Sequence, residues 1–204
     1  MEFARTLDDY VSIMMDKNAG DYACSWLFGD INTGEILRLE LAKKTHGIER
    51  TFDGVFYGMN CPFTPEIISM ETTHSELNDP KTSPGSRNIR LNHLLMSRTI
   101  DLSYAKKILS DHYDSSENAF RKGIRSICKH KEVEKGDDFN FSGAVDGKVV
   151  DSTLARQMRF IGRMGSSCGR VFNKSDYPDG EWKHVTLNMP KYDWVTLKGT
   201  AVPF

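Results

Sequence analysis

The stretch Trp26 to Leu41 limits this chain more than any other. Two apolar runs, Trp26 to Phe28 and Ile36 to Leu41, flank Asp30-Ile31-Asn32-Thr33-Gly34. The Asn, Thr and Gly of that segment suit a hairpin loop. In the second run Ile36, Arg38 and Glu40 alternate with Leu37, Leu39 and Leu41. A period of two with leucine on one side is the pattern of a strand with one buried face. A third strand is expected over Gly54 to Met59, ending on Asn60-Cys61-Pro62, with Lys43 to Asp53 as a polar link before it. A chain that opens with an antiparallel meander commits its core to a sheet.

The remainder alternates with helices. Thr6 with Asp9 three residues on predicts an N-cap, and Leu7, Val11 and Met14 or Met15 form the apolar stripe behind it. Residues 61–87 hold Pro62, Pro65, Pro80 and Pro84 and little apolar content, which predicts a long loop with one short element near Ile67 to Met70. From Ile89 the pattern is helical, with Leu91, Leu94, Leu95 and Ile100 recurring at helical spacing. A second helix is expected over Leu102 to Ser110, capped by Asp101. Strands are expected over Ile124 to Cys128, Gly143 to Val150 and from Met158 onward, with a charged turn at Glu134 to Asp138 and a strand or short helix from Thr153. The expected class is α+β. Residues 1–175 read as one domain and 176–204 as an irregular wrap.

Composition removes several functions. With 27 Lys and Arg against 28 Asp and Glu, the chain lacks the basic excess that phosphate binding requires, so nucleic acid is not an expected partner. No run approaches the ~18 apolar residues of a membrane span. The first twenty residues show neither a basic n-region nor an apolar h-region, which favours a cytoplasmic setting. The cysteines at 24, 61, 128 and 168 show no CxxC spacing. Neither a zinc site nor a disulfide framework is read from them, and free thiols are expected. His112 and His130 lack a third ligand at metal spacing. Cys128 and Cys168 read as core thiols, Asp111-His112 as a helix-end cap and His130 as exposed. No metal and no cofactor is expected.

Four short stretches, taken in order, resemble a known group. They are Tyr22-Ala23-Cys24-Ser25-Trp26-Leu27-Phe28-Gly29-Asp30 with Thr33-Gly34-Glu35; Gly58-Met59-Asn60; Ser110-Asp111-His112 with Arg125-Ser126-Ile127-Cys128-Lys129-His130; and Arg163-Met164-Gly165-Ser166-Ser167-Cys168-Gly169. Together they resemble the phospholipase B-like and acyl-coenzyme A:isopenicillin N acyltransferase group of N-terminal-nucleophile (Ntn) hydrolases, relatives of choloylglycine hydrolase and penicillin V acylase. The resemblance implies an αββα sandwich, of which this chain is the C-terminal part. It also implies cysteine-dependent cleavage or transfer of an acyl group at a small-molecule amide or ester. In that chemistry a free N-terminal Cys attacks the carbonyl with its own α-amine (pKa ~8) as base. Asn60 is then the oxyanion donor, and Arg87 supplies site electrostatics, with Arg90 as a competing assignment. The sequence departs from the group in having no Cys before Cys24, so the nucleophile segment lies upstream or on a partner. Cys24 itself, opening a strand-turn-strand, is the alternative nucleophile. The rival from another class is a non-catalytic binding or scaffold domain that keeps the sheet. A half-sandwich with one bare face is expected to form a homo-oligomer or bind its missing half.

Overall fold

The computed structural model describes residues 3–73, 76–96, 99–130, 133, 146–173 and 188–199. Contacts divide the chain into two compact units, Met1–Leu77 and Asn78–Phe204. Both mix helices with small antiparallel sheets, so the α+β class holds.

The first unit opens with helix α1 (Leu7–Met15). Thr6 accepts from the Asp9 amide at 3.1 Å while the Asp9 carboxylate accepts from the Thr6 amide at 2.9 Å, the reciprocal capping expected. Strands β1 (Cys24–Gly29), β2 (Ile36–Leu41) and β3 (His46–Thr51) form a meander with β2 in the middle. The hairpin turns at Asp30 to Gly34, where Gly34 has φ +82° and its amide donates to the Asp30 carbonyl at 2.8 Å. Leu37, Leu39 and Leu41 are buried against Leu7, with Tyr10, Val11, Met14, Met15 and Phe28 around them.

Two expectations are corrected here. The third strand is His46–Thr51, inside the segment expected to be a polar link, and Gly54 to Met59 is not a strand. Ile48 and Thr51 supply the β-forming positions, and the Ala42 amide closes a tight turn on the Thr45 carbonyl at 3.0 Å. The polar look of this strand reflects its place at a sheet edge. Nor is β2 buried on one face alone: Arg38 and Glu40 are buried along with the leucines. The residues after β3 cover that second face. Arg38 lies over the Phe63 and Phe56 rings, 4.2 and 5.3 Å from their centroids, and pairs with Glu49. Glu40 accepts from Ser25 Oγ at 2.6 Å and from the Phe63 and Thr64 amides at 2.8 and 2.7 Å. Gly47 sits where a Cβ would fall 1.9 Å from Thr64 Oγ1, so this close approach of β3 to Thr64 requires glycine. Helix α2 (Pro65–Glu71) is the short element expected in the loop region, with Pro at its start.

The second unit begins with α3 (Ser83–Met96), which starts six residues before the periodic pattern at Ile89 and takes in Pro84 in its first turn. Helix α4 (Leu102–Leu109) is capped by Asp101, whose carboxylate accepts from the Tyr104 amide at 2.6 Å. A two-residue ladder joins β4 (Tyr113–Asp114) to β5 (Ala119–Phe120). A second sheet, ordered β6 (Gly147–Val149), β7 (Arg159–Arg163), β8 (Val195–Lys198), is antiparallel throughout, and α5 (Ser152–Arg156) links its first two strands. Helix α4 lies against β6. Strand β8 falls in the tail expected to be irregular, while the expected turn at Glu134 to Asp138 lies outside the described residues. The strand expected over Ile124 to Cys128 is instead a run of turns and bends. Its buried Ser126 hydroxyl reaches the Gly123 and Cys128 carbonyls at 3.2 and 3.0 Å, satisfying backbone that a ladder would otherwise have paired.

A four-residue candidate metal centre

Three segments of the second unit converge on one point. The first follows α4. Ser110 closes the helix, its hydroxyl donating to the Ser167 carbonyl at 2.8 Å, and Asp111 is clamped by Arg90 of α3 through two bonds of 3.0 and 2.7 Å. Arg90 stacks on the Tyr113 ring at 4.5 Å, and the Tyr113 amide donates to the Asp111 carboxylate at 3.0 Å. Between these anchors stands His112. The second segment is the turn-rich loop. The Cys128 amide donates to the Asp111 carbonyl and the His130 amide to the Gly123 carbonyl, both at 2.9 Å. Ser83 Oγ at the start of α3 holds the Ile124 carbonyl at 2.6 Å. The third is the turn after β7. The Ser167 carbonyl accepts from Arg163 Nη1 at 2.7 Å as well as from Ser110, which fixes the backbone just before Cys168.

The result is a cluster of His112, Cys128, His130 and Cys168 with all four ligand atoms within 4.8 Å of one another. Cys128 and His130 are buried, and His112 and Cys168 are half-buried. His130 Nε2 lies 3.1 Å from His112 Nε2, 3.5 Å from Cys128 Sγ and 3.4 Å from Cys168 Sγ. One imidazole nitrogen carries either one proton or one lone pair, so it can make a single good hydrogen bond with these three neighbours. A cation at the centre satisfies all four at once. Tetrahedral zinc, with Zn–N of about 2.05 Å and Zn–S of about 2.3 Å, sets its ligand atoms about 3.3 Å (N···N) and about 3.6 Å (N···S) apart. The three spacings at His130 Nε2, 3.1, 3.5 and 3.4 Å, come close to these values. Hydrogen bonding from Cys128 holds the Cys168 thiol well below its ordinary value; burial opposes this, while His112, His130 and the Arg170 amide assist. Two thiolates, two neutral imidazoles and a divalent ion leave no net charge in the half-buried site.

Cys128 is a fully buried thiol, as expected, but it and the half-buried Cys168 lie beside two imidazoles. His130 is buried rather than exposed, and His112 joins the cluster. The further donors that the histidines lack at metal spacing in sequence are supplied in space by the two cysteines. The available signal was Cys128-Lys129-His130, two ligand-type side chains two residues apart. It was obscured because the other members are 18 residues before His130 and 38 after it.

The residues expected to form a site fall elsewhere. Asn60 is exposed in a bend of the first unit. Cys24 is half-buried on β1, with its thiol toward the Ser25 carbonyl at 3.7 Å. Arg87 lies in the second unit on α3, its Nε bonded to the Ser83 carbonyl one turn back at 2.9 Å. Arg90, the competing arginine, is the one tied to the cluster through Asp111. All four cysteines are free thiols. Among the described residues no helix is long and apolar enough to cross a membrane. Comparison with known proteins returns no matching family model, no matching curated protein and no matching solved structure.

Proposed function

We propose that this chain is a zinc-binding protein in which His112, Cys128, His130 and Cys168 hold one ion as the structural centre of the second unit. The observation that carries the reading is the convergence of three neighbours on His130 Nε2. Four protein ligands close a tetrahedron and leave no position for water or substrate, which is the property of a structural rather than a hydrolytic zinc. The ion joins the end of α4, the Cys128 loop and the turn after β7, segments with little regular structure of their own. The test is metal analysis of the full chain purified under reducing conditions, followed by cobalt substitution. One zinc per chain, and tetrahedral cobalt bands with a thiolate charge-transfer feature that His130→Ala removes, is the expected result. A chain that takes up neither ion refutes it.

A second reading keeps the cysteine-dependent acyl transfer that the resemblance implies. One observation favours it: Cys168 is half-buried, depressed as a thiol and adjacent to two imidazoles, which suits a nucleophile as well as a ligand. In this reading Cys168 takes the place of the upstream or partner-borne Cys that the resemblance implies, and an acyl amide or ester is the substrate. Iodoacetamide separates the two. A nucleophile is alkylated at Cys168 whether or not a chelator is present, whereas a zinc ligand is alkylated only after chelation.

A further inference from the structure

Resting on the zinc reading, we propose that the centre is a redox-sensitive latch: a hydroperoxide joins Cys128 to Cys168 as a disulfide and expels the ion. The two sulfurs belong to one cluster whose ligand atoms all lie within 4.8 Å. On a tetrahedral zinc they sit about 3.8 Å apart, and closing that gap to the about 2.05 Å of an S–S bond requires a shift of under two ångströms. The two cysteines are not equally held or equally reached. Cys128 is fully buried, its amide tied to Asp111, and its loop is closed by the bond from His130 to Gly123. Cys168 is half-buried, on a turn between Gly165 and Gly169. Cys168 is therefore the sulfur that meets the oxidant and the one that moves.

The chemistry balances without a further reagent. The Cys168 thiolate attacks one peroxide oxygen, the O–O bond breaks, and hydroxide leaves, giving a sulfenic acid. The Cys128 thiolate then displaces the second hydroxide from that sulfur. Two thiolates lose two electrons, the peroxide gains them, and zinc departs with only the two imidazoles left to bind it. The cross-link between the loop and the turn survives as the disulfide. His112 is released from the ion, while Ser110 and Asp111 keep the end of α4 in place through their own bonds.

The experiment uses the full-length, zinc-loaded chain carrying Cys24→Ser and Cys61→Ser, so that thiol loss reports on this pair alone. Hydrogen peroxide is added, and freed zinc is read with a chromophoric chelator. The expected result is one zinc freed per two thiols lost, a mass lower by two hydrogens after denaturation, and recovery with a dithiol plus zinc. A peptide map linking Cys128 to Cys168 is the second expected readout. In Cys168→His an imidazole replaces the thiolate, and zinc is expected to stay bound at the same peroxide dose. Zinc retained by the parent chain, zinc lost without the linked peptide, or zinc lost equally from a zinc-loaded Cys168→His each overturns the latch while leaving the zinc site intact. A reduced chain that never binds zinc overturns both.

Discussion

Glu40 in the first unit and His130 in the second are both buried polar side chains, and they are satisfied in opposite ways. Each Glu40 oxygen has its own donors, Ser25 on one and the Phe63 and Thr64 amides on the other. Burial pushes its carboxyl up, and these bonds more than reverse the effect, leaving it below the ordinary 4.5. The chain itself completes that site. His130 instead offers one nitrogen to three neighbours. Burial alone therefore does not distinguish a structural group from a site; the number of partners against the valence of the atom does.

The largest effect expected follows directly. Chelating zinc from the second unit removes the linkage free energy, about 4 kcal/mol when free zinc stands a thousandfold above its Kd. Amide hydrogen exchange over Asp111 to His130 should then speed roughly a thousandfold, while exchange in β2 is unchanged. Equal acceleration in both units would show that the difference between them is not the metal.

The mirror experiment is Leu39→Ala. Leu39 is fully buried at the centre of the meander, and its truncation should destabilise the first unit by about 3 kcal/mol, cavity included. Denaturant unfolding followed at Trp26 reads this loss. Zinc affinity should not change.

How far the sequence disclosed the two regions follows from the same contrast. The leucines of β2, the Thr6 and Asp101 caps and the α1 stripe are local patterns, where neighbours in sequence are neighbours in space, and they are visible in the chain. Strand β3 was hidden because its apolar content is thin and its pairing comes from the turn at Ala42 to Thr45. Arg38 and Glu40 looked solvent-facing because alternation reports one covered face, and the cover on the other arrives from Phe56, Phe63 and Thr64. The candidate metal cluster was least legible of all. Its four residues come from three loops whose juxtaposition depends on long-range bonds such as Ser110 to Ser167 and Arg90 to Asp111. The stretches that suggested an acyl hydrolase include all four ligands, so the same residues carried a signal that spacing alone did not assign.

Glu40→Gln should cost about 2 kcal/mol, because an amide has one acceptor oxygen where three donors converge. The carboxyl is more acidic folded than unfolded. Its contribution is therefore fully present above the unfolded value of about 4.5 and disappears as pH falls through the lower folded value. Urea titrations at pH 7 and pH 3 should show the gap between parent and variant narrowing at the lower pH. A constant gap would assign the loss to packing instead.

The smallest effects give the sharpest version of the comparison. Thr6→Ala and Asp101→Ala each remove one N-cap bond, worth about 1 kcal/mol, from helices of similar length. Helix α1 packs on a core that is complete without an ion, so Thr6→Ala should lower the stability of the first unit and leave zinc binding as it was. Helix α4 leads through Ser110 and Asp111 into His112. Fraying it weakens the metal-free form of the site, and part of the lost free energy must be supplied on binding. Asp101→Ala should therefore weaken zinc affinity by up to about fivefold, the equivalent of about 1 kcal/mol, measured by competition with a chelator of known affinity. Equal zinc affinities in the two variants would mean that the centre is preformed by the loops alone and that α4 merely passes beside it.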